Sequence, residues 1–308
     1  MGAGTMGSGI AQLFATYGHQ VSLYNRTRIR LDKALSQIKS NLEKMAELDE
    51  IPAESTAGIL ANIHVTDDLQ EAVKEADLII ENVAEQENVK RQILTEIDRF
   101  CGDEAIIASD TSTMDIFQFA KVRHMDRLCV AHFFLPAYVI PLIELIRGPE
   151  TSDETVKQVK TLLESVGKEV AVLNKVIPGF IVNRVTLAIF REVNYIASLG
   201  VASPADIDKA LVSVYGPRFA FEGPFGLCDF AGADLYERLS DELLPEISDS
   251  HECPSNIRKL VRAGKLGLKS GSGFYRHENA ADEISRRNAK IIKMIQAIRK
   301  TNTMFEQT

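Results

Sequence analysis

A chain of 308 residues is long enough for two ordinary domains, and 45% hydrophobic with 25% charged residues describes a globular chain rather than a disordered or fibrous one. The net charge of -8 argues against a nucleic-acid partner, which would favour a basic excess. No apolar stretch reaches the roughly 18 residues of a membrane span and no basic-then-apolar leader opens the chain. Cys101, Cys129, Cys228 and Cys253 show no C-x-x-C pair and no metal-ligand spacing with histidine, so no metal is expected and the cytoplasm is the default location.

The first residues, Gly2-Ala-Gly4-Thr5-Met6-Gly7, form a G-x-G-x-x-G turn that runs into a helix-like stretch, Ile10 to Tyr17. In such a turn the first glycine allows the tight bend, the second lets the backbone approach a pyrophosphate, and the third lets helix and strand pack closely. The free amides at the helix start then meet the phosphate charge. The strand of about six apolar residues that ordinarily precedes this turn is absent ahead of Met1, which predicts an unfilled slot in the sheet beside the cofactor. A start placed too far downstream, or a truncated chain, is the expected explanation.

Gln20 to Asn25 reads as a strand and Arg28 to Leu48 as an amphipathic helix. Ala76 to Val83 is a buried strand, followed by a helix from about Asn88 to Phe100, then strands at Ala105 to Ser109 and Leu128 to Ala131. A helix from about Asp153 to Val166 precedes the strand Glu169 to Leu173. This alternation predicts an α/β fold with a Rossmann-like, doubly wound parallel sheet. From Val176 the strand signal vanishes and helical spacing takes over, at Phe180 to Ser198, at Pro204 to Val214, and on to the end. The last segment, Asp282 to Lys300, places Ile284, Ile291, Ile295 and Ile298 on one stripe that is expected to pack on its own domain. The reading is a dinucleotide-binding domain over 1–175 and an all-α domain for substrate and dimerisation over 176–308. A cleft between two such domains is where a ligand is expected.

Where an NAD site usually carries Asp or Glu to accept from the adenosine ribose, the strand ends in Asn25-Arg26-Thr27. A neutral Asn removes a charge that would repel a 2′-phosphate, and Arg26 adds a cation that could bind one. The residues leave NAD(H) and NADP(H) both open.

His132 and Glu144 lie twelve residues apart, each in an apolar run. Two such runs folding back antiparallel bring imidazole and carboxylate together. A carboxylate on one ring nitrogen fixes the tautomer and raises the basicity of the ring, leaving the other nitrogen to take a proton near neutral pH. With a dinucleotide turn upstream, the pattern points to proton and hydride leaving one carbon, the chemistry of a nicotinamide-dependent alcohol dehydrogenase.

The motifs Gly2-x-Gly4-x-x-Gly7, Glu81-Asn-Val-Ala-Glu85, Ala108-Ser-Asp-Thr-Ser112, His132-Phe-Phe-x-Pro136, Pro178-Gly-Phe-Ile-Val-Asn183-Arg, Gly223-Pro224 and Lys265-Leu-Gly-Leu-Lys269 stand in this order. In them the chain resembles the L-3-hydroxyacyl-CoA dehydrogenases, particularly the short stand-alone 3-hydroxybutyryl-CoA type, over nearly its whole length to about His277. The resemblance implies His132 as general base, Glu144 as its orienting partner, Ser112 on the substrate oxygen beside the nicotinamide, and Asn183 holding substrate and histidine. It implies that Glu85, Lys90 and Lys269 contact the dinucleotide, beside the turn residues Gly2, Gly4, Thr5, Met6 and Gly7 and the strand-end residues Asn25 and Arg26 read above. It also implies an acyl-CoA thioester as substrate and a homodimer paired through the C-terminal domain.

Three departures matter. Leu135 stands where the family usually has Asn, and Asp110 precedes Thr111-Ser112 where it usually has Asn, placing a carboxyl near the reacting centre. The segment Gly216 to Pro224, with Arg218, looks closer to relatives acting on small hydroxy acids of the gulonate or carnitine type, since an arginine can hold a carboxylate bidentately. A crystallin-like protein that binds cofactor without turnover is the remaining expectation.

Overall fold

The computed structural model describes residues 1–306. The chain runs α1 (Thr5–Thr16), β1 (Val21–Tyr24), α2 (Arg28–Glu47), α3 (Ser55–Ala61), β2 (Ile63–Thr66), α4 (Leu69–Val73), β3 (Leu78–Glu81), α5 (Glu87–Phe100), β4 (Ile106–Ser109), β5 (Leu128–Phe133), β6 (Leu142–Arg147), α6 (Asp153–Ser165) and β7 (Glu169–Leu173). Helices alone follow: α7 (Val182–Ser198), α8 (Pro204–Phe219), α9 (Pro224–Ala231), α10 (Ala233–Leu243), α11 (Ser255–Arg262) and α12 (Ala280–Glu306). Two compact units meet in sequence between Arg184 and Val185, inside the first turn of α7.

In the first unit the α/β alternation folds as a Rossmann-like sheet flanked by helices. Strands β3, β4 and β5 are parallel, β6 is antiparallel to β5, and β7 is parallel to β6. Both faces are covered, which is why these strands read as unbroken apolar runs. Ile79, Ile107, Val130 and Ile146 share one face with Ile93, Leu94 and Ile97 of α5. Ile106, Ala108, Cys129, Ala131 and Leu145 share the other face with Ile10, Leu13 and Phe14 of α1 and Val159 and Leu163 of α6. The alternation follows from the two-residue period of a strand.

Strands β1 and β2 form a separate parallel pair, and no strand lies between β1 and β3 among the described residues. Backbone hydrogen bonds of residues 1 and 2 link the two sheets at their C-terminal ends. The Met1 nitrogen donates to Ile80 O at 2.7 Å, Met1 O accepts from Asn82 N at 2.8 Å, and Gly2 N donates to Tyr24 O at 2.9 Å. The slot expected beside the turn is therefore bridged where the turn begins.

The second unit is helical. Among its described residues only Asn194 and Ile292 are buried, and Phe225 and Phe230 are 90% and 85% exposed. On α12 the buried side chain is Ile292, one position off the expected stripe, while Ile284 is exposed. No helix of the described residues is long and apolar enough to cross a membrane.

Candidate active site

The antiparallel register of β5 and β6 pairs His132 directly with Glu144 across the ladder. Alternation puts both on the face that carries Val130 and Ile146. His132 Nδ1 lies 2.8 Å from Glu144 Oε2, with the ring 5% exposed and the carboxylate fully buried. The other oxygen, Oε1, accepts from the backbone amides of Ile181 at 2.8 Å and Val182 at 2.9 Å, where α7 begins. A helix start suits a carboxylate because its amides lack intrahelical acceptors. Burial alone pushes Glu144 upward, but the hydrogen bonds from His132 and from the Val182 and Ile181 amides outweigh it and hold the carboxyl below its ordinary value. An ionised Glu144 fixes the proton on Nδ1, and no hydrogen bond occupies Nε2 among the described residues, so Nε2 keeps a lone pair for a substrate proton.

The ring is packed as well as bonded. Phe134 and Phe180 sit against it with centroids at 4.4 and 5.5 Å. Phe180 is fully buried with φ of 52°, a left-handed conformation that a bulky side chain adopts only when its surroundings hold it there.

The residue after Val182 is Asn183, whose Nδ2 donates to Ser112 O at 3.1 Å. Ser112 is held from its other side by Glu85, whose Oε1 accepts from Thr111 Oγ1 at 2.5 Å, Ser112 N at 3.0 Å and Thr113 N at 3.3 Å. The Ser112 hydroxyl itself is only 3.5 Å from that oxygen, a weak hold that leaves it available. His132, Glu144, Asn183, Ser112 and Glu85 are thus joined through successive contacts in the first unit. Lys90 is 1% exposed, with its ammonium on Glu81 and on Glu85 Oε2. Lys269 lies exposed in the second unit.

Asp110 turns out to face the backbone. Its Oδ1 accepts from Phe133 N at 2.7 Å, next to the histidine. Burial pushes its carboxyl well above the ordinary value, and the Glu81 and Glu85 carboxylates add to this against the Phe133 amide and Lys90. Leu135 is 53% exposed, an apolar side chain in the loop that follows β5.

The glycine turn fits a dinucleotide. A Cβ on Gly7 would lie 1.8 Å from Gly2 O, and one on Gly2, at φ of 97°, would lie 2.6 Å from Asn82 O, so the turn closes only without side chains. Gly4 is exposed with nothing within 4 Å of its Cβ position, and no side chain caps α1, which begins with Thr5 and Met6. The amides at the helix start therefore face open space that a pyrophosphate can fill. At the end of β1, Asn25 Oδ1 accepts from Thr27 N at 3.1 Å and Thr27 Oγ1 at 2.9 Å, closing its own turn. Arg26 is exposed and forms no ion pair among the described residues.

Sequence reading did not anticipate Glu81, the Asp110 link to Phe133, or the amides behind Glu144. Glu81 carries the one available signal: an acid at the end of a buried strand needs a partner.

Residues 1–176 match the family described as 3-hydroxyacyl-CoA dehydrogenase, NAD binding domain, and residues 179–277 match its C-terminal domain. The chain is 34% identical to a 5-formyl-3-hydroxy-2-methylpyridine 4-carboxylate 5-dehydrogenase of Mesorhizobium japonicum, covering 89% of this chain and 88% of that protein. It is 35% identical to a 3-hydroxybutyryl-CoA dehydrogenase of Clostridioides difficile, covering 89% and 97%. Among solved structures, the 5-formyl-3-hydroxy-2-methylpyridine 4-carboxylic acid 5-dehydrogenase described as an NAD+ dependent dismutase superposes with a TM-score of 0.88 at 31% identity, covering 97% and 96%. The (S)-3-hydroxybutyryl-CoA dehydrogenase from Ralstonia eutropha gives 0.74 at 32% identity, covering 90% and 97%. The chain belongs to the 3-hydroxyacyl-CoA dehydrogenase family and is an oxidoreductase with that family's NAD-binding domain.

Proposed function

We propose that the protein interconverts short-chain (S)-3-hydroxyacyl-CoA and 3-oxoacyl-CoA thioesters, with residues 1–175 holding the dinucleotide and 176–308 serving substrate and dimerisation. The observation that carries this reading is the buried 2.8 Å pair of His132 and Glu144, joined through α7 to Asn183 and Ser112. When bound, the nicotinamide supplies the hydride acceptor or donor. In oxidation His132 Nε2 takes the hydroxyl proton at about 2.6–3.2 Å, and in reduction it returns that proton to the developing alkoxide. Glu144 stabilises the charged ring while both backbone amides keep the carboxylate from turning. Ser112 and Asn183 supply polar contacts where charge changes on the substrate oxygen. Gly2, Gly4, Thr5, Met6 and Gly7 hold the pyrophosphate, and Asn25 and Arg26 meet the adenosine ribose. By resemblance to the family, Glu85, Lys90 and Lys269 are dinucleotide contacts.

A second reading, oxidation of a small carboxylated substrate without CoA, is favoured by the higher superposition onto the pyridine-carboxylate enzyme and by the exposed Arg218, a cation that can hold a carboxylate bidentately. The two are separated by a panel of acetoacetyl-CoA, gulonate, carnitine and a formylpyridine carboxylate. Each is assayed with both nucleotides on the wild type and on Arg26→Ala. Acetoacetyl-CoA is expected to consume NADH, and exclusive turnover of a free carboxylate would favour the second reading. Nucleotide binding without turnover of any substrate would leave a cofactor-binding protein. If Arg26 receives a 2′-phosphate, its loss lowers NADPH use about tenfold or more and spares NADH. Equal effects on the two nucleotides remove that role.

The homodimer is supported by the apolar side chains that the second unit leaves uncovered, Phe221, Phe225 and Phe230 among them. Sedimentation is expected to give a species of twice the 34.1 kDa chain mass. A monomer at micromolar concentration rejects the proposal.

A further inference from the structure

We infer that Phe180 is a positioning residue. Its left-handed backbone, held by its buried ring, aims the Ile181 and Val182 amides at Glu144, the carboxylate that orients His132. This inference rests on the dehydrogenase reading above, in which His132 is the base, and it gives Phe180 a part beyond filling the core.

The turn is built from two successive left-handed residues, Gly179 at φ of 78° and Phe180 at φ of 52°. The Phe180 amide is used inside the turn, where it donates to Ile177 O at 3.0 Å. The next two amides leave the turn together. Both meet Glu144 Oε1, at 2.8 and 2.9 Å, and successive amides converging on one oxygen form a concave site for an anion. Glycine takes the left-handed conformation freely, whereas any other side chain crowds its own backbone there. Rotating Phe180 back to a negative φ would relieve that crowding. It would also swing the peptides that follow, and both amides with them.

The ring supplies what opposes the rotation. It is fully buried in the apolar cluster that holds Val130, Ile146 and Leu173, on the sheet face that carries His132 and Glu144. Its centroid stands 5.5 Å from the imidazole. Turning the backbone would draw the ring out of this cluster and open a void beside the dyad, which a close-packed interior resists. A glycine would make the same turn without crowding but would leave the imidazole without this apolar contact. Crowding held in place by packing, next to a reacting group, is the pattern of a pre-organised site. Against burial, the hydrogen bonds from His132 and from the two amides keep the Glu144 carboxyl below its ordinary value.

The test is a pair of variants that lose the same ring and differ in the turn. Phe180→Ala keeps a Cβ in the left-handed region, and Phe180→Gly does not. Three quantities are read: the Ile181 and Val182 amide NMR resonances, the pH at which the Glu144 carboxyl titrates by carbon NMR, and kcat on whichever substrate the wild type accepts. Phe180→Ala is expected to shift both amides and to raise the Glu144 titration toward 4.5. Its kcat is expected to fall by about tenfold or more, since small misplacement of reacting groups is costly. Phe180→Gly is expected to keep the amides and the titration near wild type and to retain a higher kcat than Phe180→Ala. Equal values in the two variants, or a smaller loss in Phe180→Ala, would overturn the proposal and leave a ring that only fills the core. Should neither variant fold, Gly179→Ala places a Cβ in the left-handed region at φ of 78° while the ring stays. The nearest atom there, Arg184 Cγ, is 3.5 Å away, an ordinary contact, so the backbone alone is disturbed. The same amide shifts and a lower kcat are expected, and unmoved amides reject the positioning role. The amide and carboxyl readouts need no substrate, so a wild type inactive on every compound sinks the function proposed above while this inference is still tested.

Discussion

Glu144→Gln is expected to lower kcat by about 10²–10⁴-fold while leaving NADH affinity near wild type. The carboxylate accepts from three donors: the histidine Nδ1 and the amides of Ile181 and Val182. Glutamine has one acceptor oxygen. If that oxygen stays on the two amides, the new NH2 group faces Nδ1, which must then become an acceptor. The ring proton moves to Nε2 and the base is lost. If the amide turns the other way, its NH2 meets two N–H donors inside a buried site, at a cost of about 1–3 kcal/mol. Steady-state kinetics beside a nucleotide titration separates these effects, and a variant with wild-type kcat would sink the dyad. The pH dependence has a defined sign. Because Glu144 titrates below its ordinary value of 4.5 in the folded state, its contribution to stability is fully present above that pH and is lost as pH falls through the lower folded value. The difference in melting temperature between wild type and Glu144→Gln is therefore expected to be largest near neutrality and to shrink below pH 4.5.

The glycine turn gives the second large effect, as a contrast between two substitutions of identical size. Gly7→Ala places a methyl 1.8 Å from Gly2 O, a backbone atom, so the turn must open. The intrinsic gain of about 1 kcal/mol from alanine in a helix is offset by strain of about 1–3 kcal/mol or more. Both thermal stability and NADH binding are expected to fall. Gly4→Ala meets nothing within 4 Å and has an ordinary φ of -81°. Its stability is expected to stay within about 0.5 kcal/mol of wild type, as for other exposed positions. The methyl nevertheless stands over the uncapped start of α1, where the pyrophosphate is expected, and NADH binding is expected to weaken by about tenfold or more. Melting curves and a fluorescence titration on both variants suffice. A Gly4→Ala protein that binds NADH as the wild type does would move the phosphate site elsewhere.

The elements that were legible in the sequence share one property: their signal is local. Ala105 to Ser109 and Leu128 to Ala131 read as strands because burial on both faces makes their side chains almost all apolar, and α5 read as a helix because its buried residues recur at helical spacing. The pairing of His132 with Glu144 was readable because both lie in apolar runs joined by a short proline-containing turn, and β5 extends one residue beyond the histidine. Strand β2 went unread since its apolar run is broken by the exposed His64, whereas the equally short Ile106–Ser109 is buried throughout. The helices α3 and α4, of seven and five residues, span two turns or fewer and give no helical period.

Periodicity and steric limits act within a few residues, so most strands and helices, the closed glycine turn and the partnership of histidine and glutamate were legible in the residues themselves. What stands behind those residues follows from packing. Glu144 meets amides 37 and 38 positions away, Asp110 meets an amide 23 positions away, and Glu85 reaches the serine loop 27 positions on. A side chain's type announces that it needs a partner when buried, but which distant backbone group answers depends on how helices and strands pack.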